Sequence, residues 1–409
     1  MSDSDRPRRI LLADCDSYFV RCAMLADPEG AGKAELLLVG GRADSRGVVT
    51  SASYAARKYG IRAGMATSTA KRLCPHALFV PVPRDMVRRK SREVVEVIRA
   101  HSPVVAPRGV DEGYVDLTGT ERLPGFEDAG AFARRLRSTV LAETAMTLSI
   151  AVAPNVLVAK VAVDYAKPHK GGDGVIVVPP DEVEAFMRRL SLGDLPGIGP
   201  VFAEKLARLG LRTVPDAVAL DLPTLTTMLG AETAGWLHDR VRGIDDAAVD
   251  RDEPQKSLGR EDTFPRDLHD DADLERELLR LAHRVAADLR EDGLRARTIT
   301  VKIKDADFKQ RQAGRTLARG VESDQAVWEV ARELLRRLRR ARRVGARLLG
   351  VTLSQLETNE GPAQLALFDA APAADVEETE RDRKLSQTVD AIRAKFGRDA
   401  IKPARLLDD

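Results

Sequence analysis

Short apolar runs and helix-like segments alternate along the first part of the chain. Residues 10–13 (ILLA), 36–39 (LLLV) and 148–152 (LSIAV) are apolar runs without a helical period, which predict buried strands. Residues 53–59 and 88–98 predict helices. Strands and helices in this order are typical of a mixed sheet backed by helices.

Glycine and proline residues mark the turns between these elements. The segment after Pro107 predicts a hairpin around Asp111, with Gly109 and Gly113 as its conformationally permissive positions. Around Leu190 the pattern changes to short helices, which are interrupted by a tight turn at residues 195–200 (LPGIGP).

The second half of the chain has a different order of elements. A strand near Leu258 is followed by a helix over residues 274–285, two strands within 297–317, a helix opened by Ser323 or Asp324, and a strand at 348–353. This order, βαββαβ, predicts a compact split-βαβ module.

The end of the chain combines a polar segment with a final periodic one. Residues 357–380 are rich in alanine, proline and acids, which predicts a flexible linker. Beyond it, apolar residues at helical spacing predict one last amphipathic helix: Leu385, Val389, Ile392 and Phe396.

Composition narrows the class of protein only partly. A chain of 409 residues exceeds one hydrophobic core and predicts two to four domains. The 31% of charged residues balance to a net charge of +2, which says little about partners. The three cysteines include no CxxC pair, which argues against a zinc site and fits a reducing cytoplasm. The N-terminus is polar and followed by only a short apolar run, which predicts neither a signal peptide nor a membrane span.

Three acids are candidates for a metal site. Asp14 follows the first apolar run, and Asp111 and Glu112 lie in the predicted hairpin, so the three can meet at one sheet edge. Neighbours on a flat strand face opposite ways, so Asp111 and Glu112 can share a site only if the flanking glycines allow a local twist. Converging carboxylates suit two magnesium ions and phosphoryl transfer. The alternative is that such acids are ordinary surface or turn residues.

Four sequence strings in this order carry a resemblance: DCDSYF, GVVTSASYAARKYGIRAGM, VDEGYVDLTG and SIAVAPNVLVAKVAVDYAKP. Over about residues 8–357 the chain resembles the Y-family DNA polymerases, in particular their bacterial polymerase IV branch. The resemblance implies a translesion DNA polymerase with an α+β multidomain, right-hand fold. It implies a mixed-sheet palm (1–17 and 85–173), small fingers (18–84), a helix-hairpin-helix thumb (174–250), a split-βαβ little finger (254–357) and a tail (358–409).

The resemblance also implies the site residues of such an enzyme. Asp14, Asp111 and Glu112, together with the Cys15 carbonyl, are expected to hold two Mg²⁺ ions, with Glu112 at the catalytic acid position. Phe19 is expected to exclude the sugar 2′-hydroxyl by its bulk, although Tyr18 and Phe19 could instead simply pack the core. Triphosphate contacts carry over to three further residues: Tyr54, Arg57 and Lys167.

Primer-template DNA and deoxynucleoside triphosphates are the expected partners of a monomeric, cytoplasmic protein without membrane contact. Gly197 and Gly199 in LPGIGP resemble a hairpin that offers backbone N–H groups to a phosphate. Basic residues along the two strands of the split-βαβ module predict a phosphate-tracking sheet face, and they include Arg297, Lys302, Lys304, Arg311 and Arg315.

A short apolar motif interrupts the acidic linker at residues 364–368 (QLALF). It resembles the sliding-clamp-binding motif of bacterial replication proteins, with Gln364 as polar anchor and Leu365, Leu367 and Phe368 as apolar contacts. Alternatively, the motif packs back on the enzyme.

Two other functions remain as alternatives to the polymerase. One is a non-catalytic scaffold of the same superfamily that binds the clamp and DNA. The other is a helix-hairpin-helix DNA repair nuclease, because acid clusters and such hairpins occur there too.

Overall fold

A computed structural model describes residues 8–102, 104–120, 127–249, 254–358, 378–397 and 400–406. The apolar motif at residues 364–368 and nearly all of the predicted linker lie outside the described residues. The chain divides into two compact units, Met1–Asp252 and Glu253–Asp409.

The first unit contains two sheets and a set of helices. Its strands are β1 (Ile10–Cys15), β2 (Leu37–Gly40), β3 (Val49–Ala52), β4 (Leu78–Val80), β5 (Val105–Arg108), β6 (Glu112–Asp116), β7 (Leu148–Ala153) and β8 (Val175–Val177). Its helices are α1 (Tyr18–Ala26), α2 (Tyr54–Arg57), α3 (Thr67–Leu73), α4 (Arg84–His101), α5 (Ala129–Thr144), α6 (Val156–Ala166), α7 (Val183–Met187), α8 (Pro200–Arg208), α9 (Val214–Val218), α10 (Leu222–Leu229) and α11 (Ala231–Val241).

A five-stranded mixed sheet in the order β5-β6-β1-β7-β8 forms the centre of this unit, and β3-β2-β4 form a smaller sheet. Strand β1 is central and covered on both faces. Leu11 and Ala13 pack in an apolar cluster with residues of α4 and α5, whereas Ile10 and Leu12 pack in a cluster with residues of α6. Burial on both faces explains why β1 is a continuous apolar run rather than an alternating one.

The second unit has the predicted order βαββαβ, which is confirmed. Its elements are β9 (Ser257–Leu268), α12 (Asp271–Glu291), β10 (Leu294–Asp305), β11 (Gln310–Val321), α13 (Asp324–Ala341), β12 (Ala346–Thr358) and α14 (Glu380–Phe396). The strands form an antiparallel sheet in the order β11-β10-β12-β9. Residues of α12 and α13 share one apolar core with alternate residues of the strands.

The predicted final helix is present as α14, but it docks through polar residues. Ser386 is buried and its hydroxyl accepts the Asp324 N–H at 3.1 Å. Asp390 accepts hydrogen bonds from Arg290 at 2.7 and 3.1 Å. In contrast, Leu385 and Phe396 are 62% and 67% exposed. None of the helices in the described ranges has the length and apolarity to span a bilayer.

Candidate active site and nucleic-acid interface

Strand register brings the three predicted acids together. Asp14 and Glu112 are directly opposite each other on antiparallel β1 and β6, a position that separates Cβ atoms by about 5 Å. The Cys15 N–H donates to the Asp111 carbonyl at 2.8 Å, so Asp111 lies beside the end of β1. Strand β1 continues through Asp14 and Cys15, so Asp14 lies within the strand and not after it.

The turn between β5 and β6 depends on Gly109. Its φ is +70°, in the left-handed region that favours glycine. Asp111 lies in this turn, and Glu112 is the first residue of β6. The two adjacent acids therefore do not share one regular strand, in which their side chains would point to opposite faces.

Lysine side chains neutralise two of the three acids. Lys167 Nζ lies 3.2 Å from Asp14 Oδ1, and Lys160 is ion-paired with Glu112. Within the part of the chain that the structure describes, no group of three or more His, Cys, Asp or Glu side chains is arranged to hold a metal ion. The backbone positions of the three acids are thus adjacent, while the carboxylates of Asp14 and Glu112 are each ion-paired with a lysine.

The electrostatics of this cluster favours an added cation. Burial raises the pKa of Asp14 to about 6, and Glu112 adds to the rise while Lys167 opposes it. Burial also raises the pKa of Asp111, again with a contribution from Glu112. A hard divalent cation would relieve this repulsion, and carboxylate oxygens are its preferred ligands. The donor set therefore fits Mg²⁺ once Lys160 and Lys167 release the carboxylates.

Asp16, the second acid of the DCD sequence, already has a protein partner. Its Oδ1 accepts a hydrogen bond from Ser149 Oγ at 2.7 Å, and both residues are buried. Ser149 lies on β7, directly opposite Asp14 on β1. Asp16 therefore ties the end of β1 to β7.

The two aromatic residues that follow the acids differ in their environment. Tyr18 is 2% exposed, and its hydroxyl donates to the Val87 carbonyl at 2.5 Å, so it belongs to the core between α1 and α4. Phe19 is only partly buried and meets the Tyr18 ring edge-on at 5.5 Å. Part of the Phe19 ring thus stays accessible, as contact with a sugar requires.

The predicted triphosphate contacts lie in one electropositive cluster. Ser53 caps α2 by accepting the Ala56 N–H, which fixes the short helix that carries Tyr54 and Arg57. The Arg57 guanidinium lies 5.0 Å from the Tyr54 ring centroid. Burial raises the pKa of the Tyr54 hydroxyl, and the positive charge of Lys167, which follows the last residue of α6, acts in the opposite direction.

Sequence reasoning missed two residues of this region. His169 stacks on Tyr54, with ring centroids 4.5 Å apart and 20° between the planes, and Lys160 pairs with Glu112. Both contacts join residues far apart in the chain, so no local pattern predicts them. The one available signal is the cationic stretch KPHK after α6.

The glycines of the turn before α8 have different tasks. Gly197 has φ +95°, and a Cβ there would meet the Trp236 ring at 2.7 Å, so packing requires a glycine. Gly199 is the N-cap residue of α8, and a Cβ there would meet no atom within 4 Å. The backbone in front of α8 is therefore open on the side of Gly199, as a backbone contact with a phosphate requires.

One face of the four-stranded sheet in the second unit carries small and polar side chains. Thr300 lies between Gly314 on β11 and Thr352 on β12, and Thr352 lies opposite Gly259 on β9. The next row contains Lys302, which is ion-paired with a glutamate of β9. A row without bulky side chains leaves this face flat enough for close approach of a nucleic-acid backbone.

The expectation of a single basic face is wrong for Arg311 and Arg315. They lie opposite Ile303 and Ile299, whose side chains are fully buried under the helices, so both arginines are on the helix side of the sheet. Arg311 donates to both oxygens of the fully buried Asp305, at 2.9 and 3.1 Å.

Lys302 and Lys304 alternate with buried residues and lie on the open face. Arg315 is paired with Glu333 of α13 at 2.8 Å. Arg297 donates to the Leu317 carbonyl at 3.2 Å. Strand register, which sequence alone did not provide, separates the basic residues in this way.

Known protein families match three stretches of the chain. The model of the impB/mucB/samB family matches residues 13–164, and the model of that family's C-terminal domain matches residues 255–367. A model described as the thumb domain of DNA polymerase-iota matches residues 193–245.

Similar proteins and solved structures agree with these matches. A DNA polymerase IV from Desulfatibacillum aliphaticivorans is 36% identical over 400 residues, which is 98% of this chain and 97% of the relative. One from Gluconobacter oxydans is 38% identical over 355 residues, 87% of this chain and 97% of the relative. A solved Y-family DNA polymerase chimera of Dbh and Dpo4 has a TM-score of 0.76 at 27% identity and covers 86% of this chain and 100% of its own. An insertion ternary complex of Dbh DNA polymerase has a TM-score of 0.57 with the same identity and coverage.

The chain therefore belongs to the impB/mucB/samB family, the Y-family DNA polymerases. It resembles DNA polymerase IV and is a DNA-directed DNA polymerase of the translesion type. The α+β multidomain fold expected from the resemblance is confirmed. Neither the scaffold nor the nuclease alternative is supported.

Proposed function

We propose that Asp14, Asp111 and Glu112, together with the Cys15 carbonyl, hold two Mg²⁺ ions in the polymerase site. The observation that carries this assignment is the pairing of Asp14 with Glu112 across β1 and β6, in surroundings that raise the pKa of Asp14 to about 6. Bound divalent ions supply activation of the attacking 3′-hydroxyl and stabilisation of the leaving pyrophosphate.

The chain's own cations prepare the site for a triphosphate. Lys167 is shared between Asp14 and Asp164, at 3.2 Å from each, so an arriving phosphate can draw it from Asp14. Arg57 adds a planar fork of donors beside Tyr54. Phe19 contacts the sugar and excludes a 2′-hydroxyl.

Primer extension with variant enzymes tests the metal assignment. Asp111→Ala should abolish extension with Mg²⁺ and deoxynucleotides, because the substitution removes a negatively charged oxygen ligand of the metal ions. DNA affinity, measured separately by fluorescence anisotropy of a labelled primer-template, should stay near that of the wild type because other residues bind the DNA. Retained extension by Asp111→Ala would overturn the assignment.

We propose DNA contacts in both units, within the domain boundaries expected from the resemblance. In the turn that contains Gly197 and Gly199, the backbone is open at Gly199 and suits a phosphate. The flat sheet face suits DNA through Lys302 and Lys304, with Arg297 at its margin. The division of the chain between residues 252 and 253 supports a little finger that begins near residue 254.

Arg311 and Arg315 serve a different role in this proposal. Arg311 pairs with Asp305 of β10 and donates to the Leu338 carbonyl of α13 at 2.5 Å. Arg315 pairs with Glu333 of α13, so both arginines brace the sheet against α13. Lys304→Ala should therefore weaken DNA binding and reduce its dependence on salt, whereas Arg315→Ala should change neither. Equal losses for both variants would contradict the division of roles.

We propose that residues 364–368, which lie outside the described residues, bind the replication sliding clamp through Gln364, Leu365, Leu367 and Phe368. The support is the sequence QLALF in an otherwise acidic and alanine-rich stretch. Deleting the motif should remove stimulation of extension by the clamp and leave clamp-free synthesis unchanged. Persisting stimulation would refute the proposal. We further expect a monomer that acts in the cytoplasm.

A further inference from the structure

His169 is an unexpected member of the electropositive cluster beside the proposed triphosphate site. It lies in the segment after α6, two residues beyond Lys167, and its ring is stacked on Tyr54 of α2 at 4.5 Å. The stack joins two segments that are far apart in the chain, and both carry proposed triphosphate contacts.

Three cations act on His169, namely Arg57, Lys167 and Lys170, and two carboxylates, Asp14 and Asp164, pair with the two lysines. The carboxylate of Asp164 is ion-paired with both Lys167 and Lys170, at 3.2 and 3.1 Å. Arg57 donates its Nε–H to the Ala52 carbonyl at 3.0 Å. Neither Arg57 nor His169 has a carboxylate ion-pair partner in the ranges that the structure describes.

We propose that His169 is a protonatable ligand of the incoming triphosphate, and that its stacking on Tyr54 holds both rings in place for this contact. The inference rests on the proposed triphosphate role of Tyr54, Arg57 and Lys167. His169 is exposed, so phosphate oxygens can reach its ring without rearrangement of a core.

The charges that face His169 explain how its protonation follows nucleotide binding. Partial burial of the ring lowers its pKa below the ordinary value, and Arg57, Lys167 and Lys170 lower it further, while Asp164 acts in the opposite direction. The free enzyme therefore holds a largely neutral His169 at neutral pH. A triphosphate adds several negative charges to this cluster, which raises the pKa of His169 and draws in a proton.

The sign of the pH dependence follows from this shift. Because the pKa is higher in the complex than in the free enzyme, the contribution of His169 to affinity is full at low pH. It is lost as the pH rises through the pKa of the complex. We expect His169→Phe, which keeps an aromatic ring for the stack, to weaken nucleotide affinity about threefold at pH 6.5 and little at pH 8.5. His169→Ala loses the stack as well and should be weaker at both pH values.

Calorimetry of nucleotide binding tests the proposal directly. The full-length protein is loaded with a primer-template whose primer ends in a dideoxynucleotide, and the matching deoxynucleoside triphosphate is titrated with Mg²⁺ in two buffers of different ionisation enthalpy. We expect the wild type to take up about half a proton more than His169→Phe at pH 7. His76→Phe, which removes an exposed histidine of the same unit, is the control and should match the wild type.

Two results overturn the inference while leaving the site assignment intact. One is equal proton uptake by the wild type and His169→Phe, and the other is wild-type affinity of His169→Ala. Nucleotide binding by Arg57→Ala shows whether the triphosphate site itself is correctly assigned. If Arg57→Ala also binds nucleotide as the wild type does, the triphosphate site is wrongly assigned and the inference falls with it.

Discussion

Two aspartates, the partly buried Asp14 in the first unit and the buried Asp324 in the second, have similar side-chain exposure, but their pKa values are shifted in opposite directions. Their side chains are 16% and 10% exposed. Burial raises the pKa of Asp14 to about 6 in spite of Lys167. Burial also acts to raise the pKa of Asp324, but His283 and Arg290, each 2.9 Å away, outweigh it and lower that pKa.

The difference indicates two roles: Asp324 stabilises the fold, whereas Asp14 is available to bind a cation. Asp324 is the first residue of α13, where the helix dipole also favours an anion, and Arg290 and His283 each lie 2.9 Å from its carboxylate. Asp14 lies opposite Glu112, and burial outweighs the attraction of Lys167, so its charge is under-compensated. A carboxylate that the protein itself does not fully neutralise is a candidate to bind a cation.

The largest effect should come from the acid opposite Asp14. We expect Glu112→Gln to lower the rate of nucleotide incorporation at least about 1,000-fold, because a charged group at the reacting centre is lost. Single-turnover extension of a labelled primer measures this rate. Glu96→Gln, a change at an exposed acid of α4, should leave the rate unchanged. A loss of less than tenfold for Glu112→Gln would erase the distinction between the two regions.

Removal of the compensated aspartate should affect stability and not catalysis. We expect Asp324→Ala to destabilise the second unit by about 2 kcal/mol, because Arg290 loses one charged hydrogen-bond partner and keeps Asp390 as the other. Urea unfolding followed by circular dichroism measures the change. Asp273→Ala breaks an exposed pair with Arg276 and should cost less than about 0.5 kcal/mol. Equal losses would show that Asp324 is not specially compensated.

Phe19 should set sugar selectivity from the same region as Asp14. Replacement by alanine opens space beneath the sugar, and we expect discrimination against ribonucleotides to fall about 100-fold. The ratio of incorporation efficiencies for matched deoxy- and ribonucleotides measures this change. Phe308→Ala removes a 61% exposed ring from the second unit and should not alter the ratio. Unchanged selectivity of Phe19→Ala would assign Phe19 to the core.

The smallest effect is a gain in stability on removing the charge of Asp14. Its pKa of about 6 in the folded protein exceeds the value of 3.8 for a free group. Ionisation therefore lowers the stability of the fold progressively between about pH 4 and pH 6, and the loss of stability is complete above about pH 6. Because this pKa already includes the attraction of Lys167, Asp14→Asn should stabilise the protein by about 1–2 kcal/mol at pH 8 and not below pH 4. Urea unfolding in EDTA at the two pH values checks this. A loss of stability at pH 8 would contradict the comparison.

Local patterns predicted the fold better than they predicted the site. The apolar run of β1, the turn at Gly109 and the βαββαβ order follow from residues close together in the chain. Strand register determines that Arg315 lies on the helix side of its sheet, and local periodicity does not specify register.

Contacts between distant segments account for the remaining differences. Lys160 and Glu112, or His169 and Tyr54, meet only when the fold is complete. The docking of α14 through Ser386 likewise depends on a partner in another helix, so its apolar spacing predicted a helix but not the buried face. In the candidate site, sequence therefore supplied the acids, and the structure supplied the cations that face them.

Counting bound divalent ions tests the central claim most directly. Mn²⁺ can replace Mg²⁺ as a spectroscopic probe, and its electron paramagnetic resonance signal reports free ion in a titration of protein with dideoxy-terminated primer-template and nucleotide. We predict two ions for the wild type, and at most one for Asp14→Asn and for Glu112→Gln, with Asp324→Asn unchanged. Two ions bound with equal affinity by the wild type, Asp14→Asn and Glu112→Gln would contradict the account.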